Sequence, residues 1–300
     1  MTSRILWPRR RGLAALALLV VALVPAALPA QQLPPVPVKR AFGQSIQPVF
    51  EGWEKNADGT FNLVFGYMNR NYEELHHVAV GPNNRFEPGE ADRGQPTFFY
   101  TRRRQFQFRV AVPRDWGEKE LIWSVTANGQ AERAYGSLSP VWELSRAVLI
   151  DNLHGNNNIN LAEKDQPPVL RIDATPAVVV VGAALTLKGS AADPDGIPPA
   201  PKPRAQGLAV GRSESGTAPF LNVPLPAVER FPPGLSAGWI VYRGPAAAAI
   251  EPAGYRPIPP TGEFVTNVTF SVPGAYVLRA VASDSMLETM AEITVRVTAP

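Results

Sequence analysis

From Gln105 to Val112 the side chains alternate. Phe106, Phe108, Val110 and Val112 are apolar, while Gln105, Gln107, Arg109 and Ala111 fall between them. A period of two places the aromatic set on one face of an extended chain, the signature of a strand with one buried side. The same texture recurs through Phe61–Tyr67 and Leu121–Thr126, and nothing from Ser45 to Leu149 sustains apolar spacing at 3.6 residues for three turns. Asn128-Gly129 joins Leu121–Thr126 to Ala131–Tyr135, and Asn56-Ala57-Asp58-Gly59 precedes Phe61. Both read as hairpin turns, because Asn and Gly tolerate the positive φ that tight turns need. Val141–Ile150 reads as a short helix. A chain of this kind closes into β-sandwiches.

Composition narrows the function. Hydrophobic residues make up 45% of the 300 positions and charged residues 18%, which excludes a collagenous or disordered chain. There is no cysteine, so disulfides, CxxC redox chemistry and thiolate zinc sites are excluded. The formal charge of +3 comes from the first thirty residues, where Arg4, Arg9, Arg10 and Arg11 stand without an acid. The remainder carries 25 − 26 = −1 and gains little from neutralising a phosphate backbone, so no nucleic-acid partner is expected. Arg9-Arg10-Arg11, the apolar run Gly12–Val24 and the exit Pro25…Pro29-Ala30 have the layout of a signal peptide over residues 1–30. No second run reaches eighteen apolar residues, so no membrane insertion of the mature chain is expected.

The expected organisation is a signal peptide (1–30), a Pro-rich leader (31–44), an N-terminal β-sandwich (45–150), an Asn-rich linker (151–168) and a second β-sandwich (169–300). The second sandwich carries a Pro-rich insertion over 196–235. The fold class is all-β, two Ig-like sandwiches in tandem. In the second, Trp239 falls on the expected C strand and Tyr276 near the start of the F strand. Leu278 and Leu187 stand where a disulfide would otherwise join the sheets. Thr269–Asp284 (TFSVPGAYVLRAVASD) and Leu185–Gly196, with Asp193-Pro194-Asp195-Gly196, resemble bacterial PKD-like Ig modules. Those modules commonly read F-x-x-P-G-x-Y-x-L and then A-S-D-G, and Ser285 departs from that Gly. In the N-terminal half, Phe65–Asn71, Val80–Phe86 and Asp92–Thr97 resemble a module of exported bacterial proteins. That resemblance implies an exported β domain and no chemistry.

Candidate chemistry is sparse. His76-His77 are neighbours on an extended segment and point to opposite faces, so they are poorly placed to share a metal; His154 lies in the linker. Asp193 and Asp195, with Asp284, offer oxygens to Ca²⁺, which takes about six to eight. The simpler reading is that Asp193 caps its own turn and Gly196 supplies positive φ. Glu118 and Glu120, or Glu73 and Glu74, are paired acids of the kind glycoside hydrolysis uses, but adjacency in sequence does not set the required separation. Arg102-Arg103-Arg104 and Arg109, beside Phe98, Phe99, Tyr100, Phe106 and Phe108, form the one basic cluster. They fit either a face for acidic polysaccharide or lipid headgroups, or an edge strand defended by charge, and the edge is preferred. Asn267-Val268-Thr269 fits a glycosylation acceptor, which matters only in a eukaryotic secretory pathway. No GxSxG, GxGxxG, P-loop or HExxH pattern occurs. No catalytic, cofactor or metal site is assigned and no cofactor is expected. The reading is an exported, non-enzymatic binding or spacer protein of the bacterial envelope or exterior, engaging protein or carbohydrate through sandwich loops. Its alternative is a polysaccharide-acting hydrolase or the carbohydrate-binding accessory of one.

Overall fold

The computed structural model describes residues 40–154, 164–176, 178–196 and 231–300. The expected signal peptide, residues 31–39 of the leader, the middle of the linker and most of the Pro-rich insertion lie outside the described residues.

The N-terminal half contains β1 (Ile46–Lys55), β2 (Phe61–Asn69), β3 (His76–His77), β4 (Asn84–Glu87), β5 (Phe98–Phe99), β6 (Arg102–Val112), β7 (Leu121–Ala127) and β8 (Gln130–Gly136). Two three-stranded sheets, ordered β1-β2-β6 and β4-β7-β8, pack face to face, and β3 and β5 form a small ribbon. Both turns follow the sequence. Asn128 and Gly129 take φ of 49° and 72°, a pairing that lets Ala127 face Gln130 directly. Asp58 accepts from the Thr60 amide at 2.9 Å, and Gly59 sits at φ 87°.

The alternation on β6 does what it dictates: Phe106, Phe108, Val110 and Val112 are all buried. Phe108, Val110 and Val112 join Phe65, Phe86 and Trp123 in an aromatic core. The Phe86 and Trp123 rings stack at 5.8 Å, and Phe108 meets Trp123 edge-on at 5.0 Å. Pairs in these geometries contribute roughly 0.5–1.5 kcal/mol each beyond the burial itself. The indole N–H inside this core donates to Asn84 Oδ1 at 2.9 Å, and Asn84 Nδ2 donates to the carbonyls of Val78 and Pro96. A buried amide thus satisfies one ring and two loop carbonyls together.

The segment read as a helix over Val141–Ile150 divides in two. Pro140–Trp142 makes one 3-10 turn, and α1 spans Arg146–His154. Between them the chain is drawn out along β1: Leu144 N–H donates to Trp53 O at 2.8 Å, and Trp53 bridges Glu143. Ser145 then opens α1 by accepting from the Val148 amide. Tertiary pairing therefore displaces the helix about one turn toward the C-terminus. Ile150 seals it against Met286 and Leu287.

The C-terminal half contains β9 (Val169–Ile172), β10 (Val178–Val180), β11 (Ala184–Ala192), β12 (Ser236–Arg243), β13 (Ala248–Glu251), β14 (Arg256–Pro257), β15 (Glu263–Phe270), β16 (Gly274–Ser283) and β17 (Glu288–Thr298). Its sheets run β9-β11-β15-β13 and β10-β17-β16-β12-β14, and β10 lies parallel to β17. Taken as strands A, B, E and D on one side and A′, G, F and C on the other, with the short β14 added at the C edge, this is immunoglobulin-like topology. Leu187, Trp239, Tyr276 and Leu278 share its core, and the Tyr276 hydroxyl donates to Val272 O at 2.9 Å, the tyrosine-corner contact. Leucine packing stands where a disulfide would otherwise cross between the sheets.

Candidate functional site

Each acid, base and aromatic singled out from the sequence has a definite place. His76 and His77 pair with Phe99 and Phe98 across the β3–β5 ribbon. His76 Nε2 sits among Asn71 Nδ2, Asn128 Nδ2 and Glu74 Oε2, at 3.2–3.3 Å. Glu74 also accepts from the Gly43 amide and the Asn128 side chain, so it is a structural acid. His77 is exposed on the other side, and partial desolvation lowers its pKa. The histidines do not converge on a shared ligand. His154 closes α1.

Glu118 and Glu120 lie exposed in the turn before β7, whereas Asn128, the partner of Glu74, lies just past the far end of β7. The two acid pairs thus lie toward opposite ends of β7. Asn267 faces Thr186 on the neighbouring strand, and its Oδ1 accepts from the threonine hydroxyl at 2.9 Å.

The basic cluster is consumed by partners. Arg103 grips Glu51 with two bonds of 2.7 Å, and Arg109 grips Glu54 at 2.8 and 3.0 Å. Arg102 lies 4.0 Å over the Tyr72 ring and Arg104 5.2 Å over Tyr100. Burial lifts the Glu51 carboxyl above its usual range, with the Arg103 guanidinium pulling against it. The Arg103–Glu51 pair crosses above Gly66, where an added Cβ would run into Glu51 Oε1. β6 is an edge strand of its sheet, as expected. What covers that edge is partly the other half of the molecule: Arg279 on β16 donates to Gln107 O, while its guanidinium lies 3.4 Å from the Tyr242 ring centre and pairs with Glu292.

That contact belongs to a larger joint which the sequence did not announce. A bulge between Val241 and Arg243 interrupts the β12–β16 register. Bulges re-aim side chains, and here Tyr242 enters the aromatic core of the N-terminal half. Phe98 crosses the other way, into the core of the C-terminal half. Backbone groups pair across the joint: Thr97 N–H donates to Tyr242 O, and Val241 N–H donates to the Tyr100 hydroxyl at 2.9 Å. The Tyr242 hydroxyl donates to Gly94 O, and Arg243 clamps Asp92 at 2.6 and 3.0 Å. Hydrogen bonds from Arg243 hold the Asp92 carboxyl below the usual carboxylate range, and burial pushes the Tyr242 phenol up.

At the far end of the C-terminal sandwich three segments bring acids together: Asp165 from the end of the linker, Asp193 and Asp195 from the loop after β11, and Asp284 from the β16–β17 turn. Asp193 Oδ1 accepts from the Asp195 and Gly196 amides at 3.2 and 2.9 Å, the capped turn expected from the sequence. Asp195 Oδ2 accepts from the Gln166 amide at 2.6 Å and so ties the linker to that loop. Asp284 Oδ1 accepts from the Met286 and Leu287 amides at 2.7 and 2.8 Å. Asp165 and Asp284 are 1% and 3% exposed, yet their Oδ2 atoms have no hydrogen-bond partner among the described residues. Burial pushes the Asp165 carboxyl up to about 7, with Asp284, Asp195 and Asp193 adding to the rise and Arg146 opposing it. Burial likewise lifts Asp284. Sequence spacing linked Asp193 to Asp195 and suggested Asp284; Asp165 had no signal.

A shallow hollow of about 590 Å³ beside β13 and β15 is lined by Val181, Gly182, Ala247–Ala249 and Thr269–Ser271, and it carries no titratable side chain. Among the described residues no helix is long and apolar enough to cross a membrane.

No family model matches the chain, and no curated protein matches it. Solved structures that superpose on it include the D00-D0 domain of Intimin, at 11% identity over 85% of this chain and 100% of that one, with a TM-score of 0.26. Domains 4 and 5 of the S-layer protein SbsC superpose at 11% identity over 85% and 98%, with a TM-score of 0.25. The Yersinia pseudotuberculosis adhesin InvE does so at 11% over 83% and 58%, with a TM-score of 0.23. Superpositions this loose carry nothing about ligand or activity. The immunoglobulin-like assignment rests on strand order and on the Tyr276 corner.

Proposed function

We propose that the chain is an exported, non-enzymatic protein of the bacterial envelope or exterior, in which two β-sandwich modules present their end loops to a protein or carbohydrate partner at a fixed separation. The observation that carries this reading is the joint. Modules in tandem ordinarily move relative to one another. Here Tyr242 and Phe98 are exchanged between cores, and an Arg243–Asp92 clamp and backbone bonds close around them. Such a joint suits a spacer or a binding platform, whose task is to hold surfaces in place. The Arg9–Arg11 and Gly12–Val24 pattern supports export, and the Pro-rich 196–235 insertion is a natural docking segment because loops on rigid scaffolds carry recognition.

The test is to incubate the chain, purified as exported, with the envelope fraction and isolated polysaccharides of its own cell, measuring both retention and release of reducing ends. Saturable retention without turnover is the expected result. Polysaccharide cleavage would overturn the non-enzymatic reading, and retention that survives deletion of 197–230 would remove the insertion from the docking surface.

A further inference from the structure

The acids at the end of the C-terminal sandwich are arranged at odds with stability. Asp193 and Asp195 are engaged by backbone amides, as turn-capping aspartates are. Asp165 and Asp284 differ. Each is more than nine-tenths buried, and each keeps one carboxylate oxygen without a donor among the described residues. An orphaned buried oxygen loses its hydration and gains nothing in return, and charged groups lose most. The Arg146 guanidinium attracts the Asp165 carboxylate but gives that oxygen no hydrogen bond, donating instead to the Asp165 backbone carbonyl at 2.7 Å. Four carboxylates from three separate segments therefore lie within electrostatic reach of one another, with Arg146 the cation acting on Asp165. Glu288 adds a further acid beside Asp284, with Arg109 acting on it.

We infer that Asp165 and Asp284 bind a Ca²⁺ ion between them, with Asp193 and Asp195 supplying surrounding negative charge, so that the ion ties the end of the linker to two loops of the C-terminal sandwich. The donor set selects the metal. Oxygen alone is offered by these side chains, which favours a hard cation over Zn²⁺ or Cu²⁺. The donors sit on loops rather than in a rigid octahedral frame, which favours Ca²⁺ over Mg²⁺. Backbone carbonyls and water complete the shell, as they do in many Ca²⁺ sites. No three acidic or histidine side chains among the described residues stand closed about one point. The ion is expected to draw Asp165 and Asp284 together. The site lies where α1 seals against Met286 and Leu287, the two residues whose amides hold Asp284. Loading should therefore stiffen the linker end of the sandwich. The inference is independent of the partner proposed above.

The experiment is calorimetric titration of CaCl₂ into the chain, purified as exported and stripped with EDTA, paired with thermal unfolding in Ca²⁺, Mg²⁺ or EDTA. One Ca²⁺ per chain is expected, with a Tm that rises in Ca²⁺ and rises less at the same Mg²⁺ concentration. Asp165→Asn and Asp284→Asn should each abolish the Ca²⁺-dependent rise. Each should also raise the Tm of the EDTA-treated protein, because a repelling buried charge has gone. Asp284→Asn perturbs the turn it caps, so Asp165→Asn carries the test if the former fails to fold. Absence of binding at about 1 mM Ca²⁺, the weak end for extracellular modules, would overturn the site. So would equal stabilisation by Mg²⁺, or an unchanged Ca²⁺ response in Asp165→Asn.

Discussion

The two halves reach similar sandwiches by different means. The C-terminal half follows a widely shared plan: its inter-sheet core is Leu187 against Leu278, flanked by Trp239 and the Tyr276 corner, and its strands pair in immunoglobulin-like order. The N-terminal half packs rings on rings. Phe65, Phe86, Phe108 and Trp123 fill its centre, with Asn84 as the polar pin. Aliphatic layers tolerate repacking, because a branched side chain fits many neighbours. A cluster of interlocked rings with one buried N–H admits few arrangements, so it is the less forgiving of the two.

The largest expected effect follows from that contrast. Trp123→Ala should cost about 3–5 kcal/mol, since it opens a cavity and strands Asn84. Leu278→Ala should cost roughly 2–5 kcal/mol and leave room for its aliphatic neighbours to relax. Urea unfolding of both variants checks the order, and a smaller loss for Trp123→Ala would end the claim that the aromatic core is the stiffer one.

Next comes the joint. Tyr242→Ala empties a place in the N-terminal core although the residue belongs to a C-terminal strand. Hydrogen exchange should therefore quicken on β2 and β7 as well as on β12. Loss of protection confined to the C-terminal half would show that the two cores are energetically separate. Tyr242→Phe removes the hydroxyl's bond to Gly94 O and its hydrogen bond with Arg279, and about 1–3 kcal/mol is expected.

The Arg243–Asp92 clamp gives a smaller, pH-dependent contribution. Hydrogen bonds from Arg243 lower the folded pKa of Asp92. Its stabilisation is therefore complete above the unfolded aspartate value of about 3.9 and fades as pH falls through the lower folded value. Asp92 is 52% exposed, so solvent screening holds the contribution below about 1 kcal/mol. Arg243→Met should flatten that part of the acid limb in a stability–pH profile, and an unchanged slope would discount the clamp.

The smallest effect is at Ser285, where φ is 83°. A backbone in this left-handed region ordinarily favours Gly. Here the serine compensates, its Oγ accepting from the Gly234 amide at 2.8 Å. Ser285→Gly should be neutral within about 1 kcal/mol, as relieved strain offsets the lost bond. Ser285→Ala keeps the strain without the bond and should lose about 1 kcal/mol by thermal unfolding.

Strand placement was legible because period-two alternation is a local property. Phe108–Val112 on one face, the Asn128-Gly129 turn and the Tyr276 corner all depend on residues within a few positions of one another, whereas the irregularity that puts Phe106 at φ 49° had no local signal. The helix was displaced because its start was set by Trp53, a residue of the first strand that holds the distant Glu143–Leu144 segment extended. The arginine cluster was visible, but its neutralisation was not. Glu51 and Glu54 reach Arg103 and Arg109 only through the β1-β2-β6 sheet order.

The sequence by itself therefore determined an all-β chain, the faces of its strands, its tight turns and the inter-sheet positions of its second sandwich. All of these follow from backbone geometry acting over short range. Only the tertiary structure decided that Tyr242 and Phe98 change places between cores, and that Asp165 joins Asp193, Asp195 and Asp284. Those meetings bring together residues far apart in the chain. They depend on a bulge and on loop paths, which no local pattern encodes.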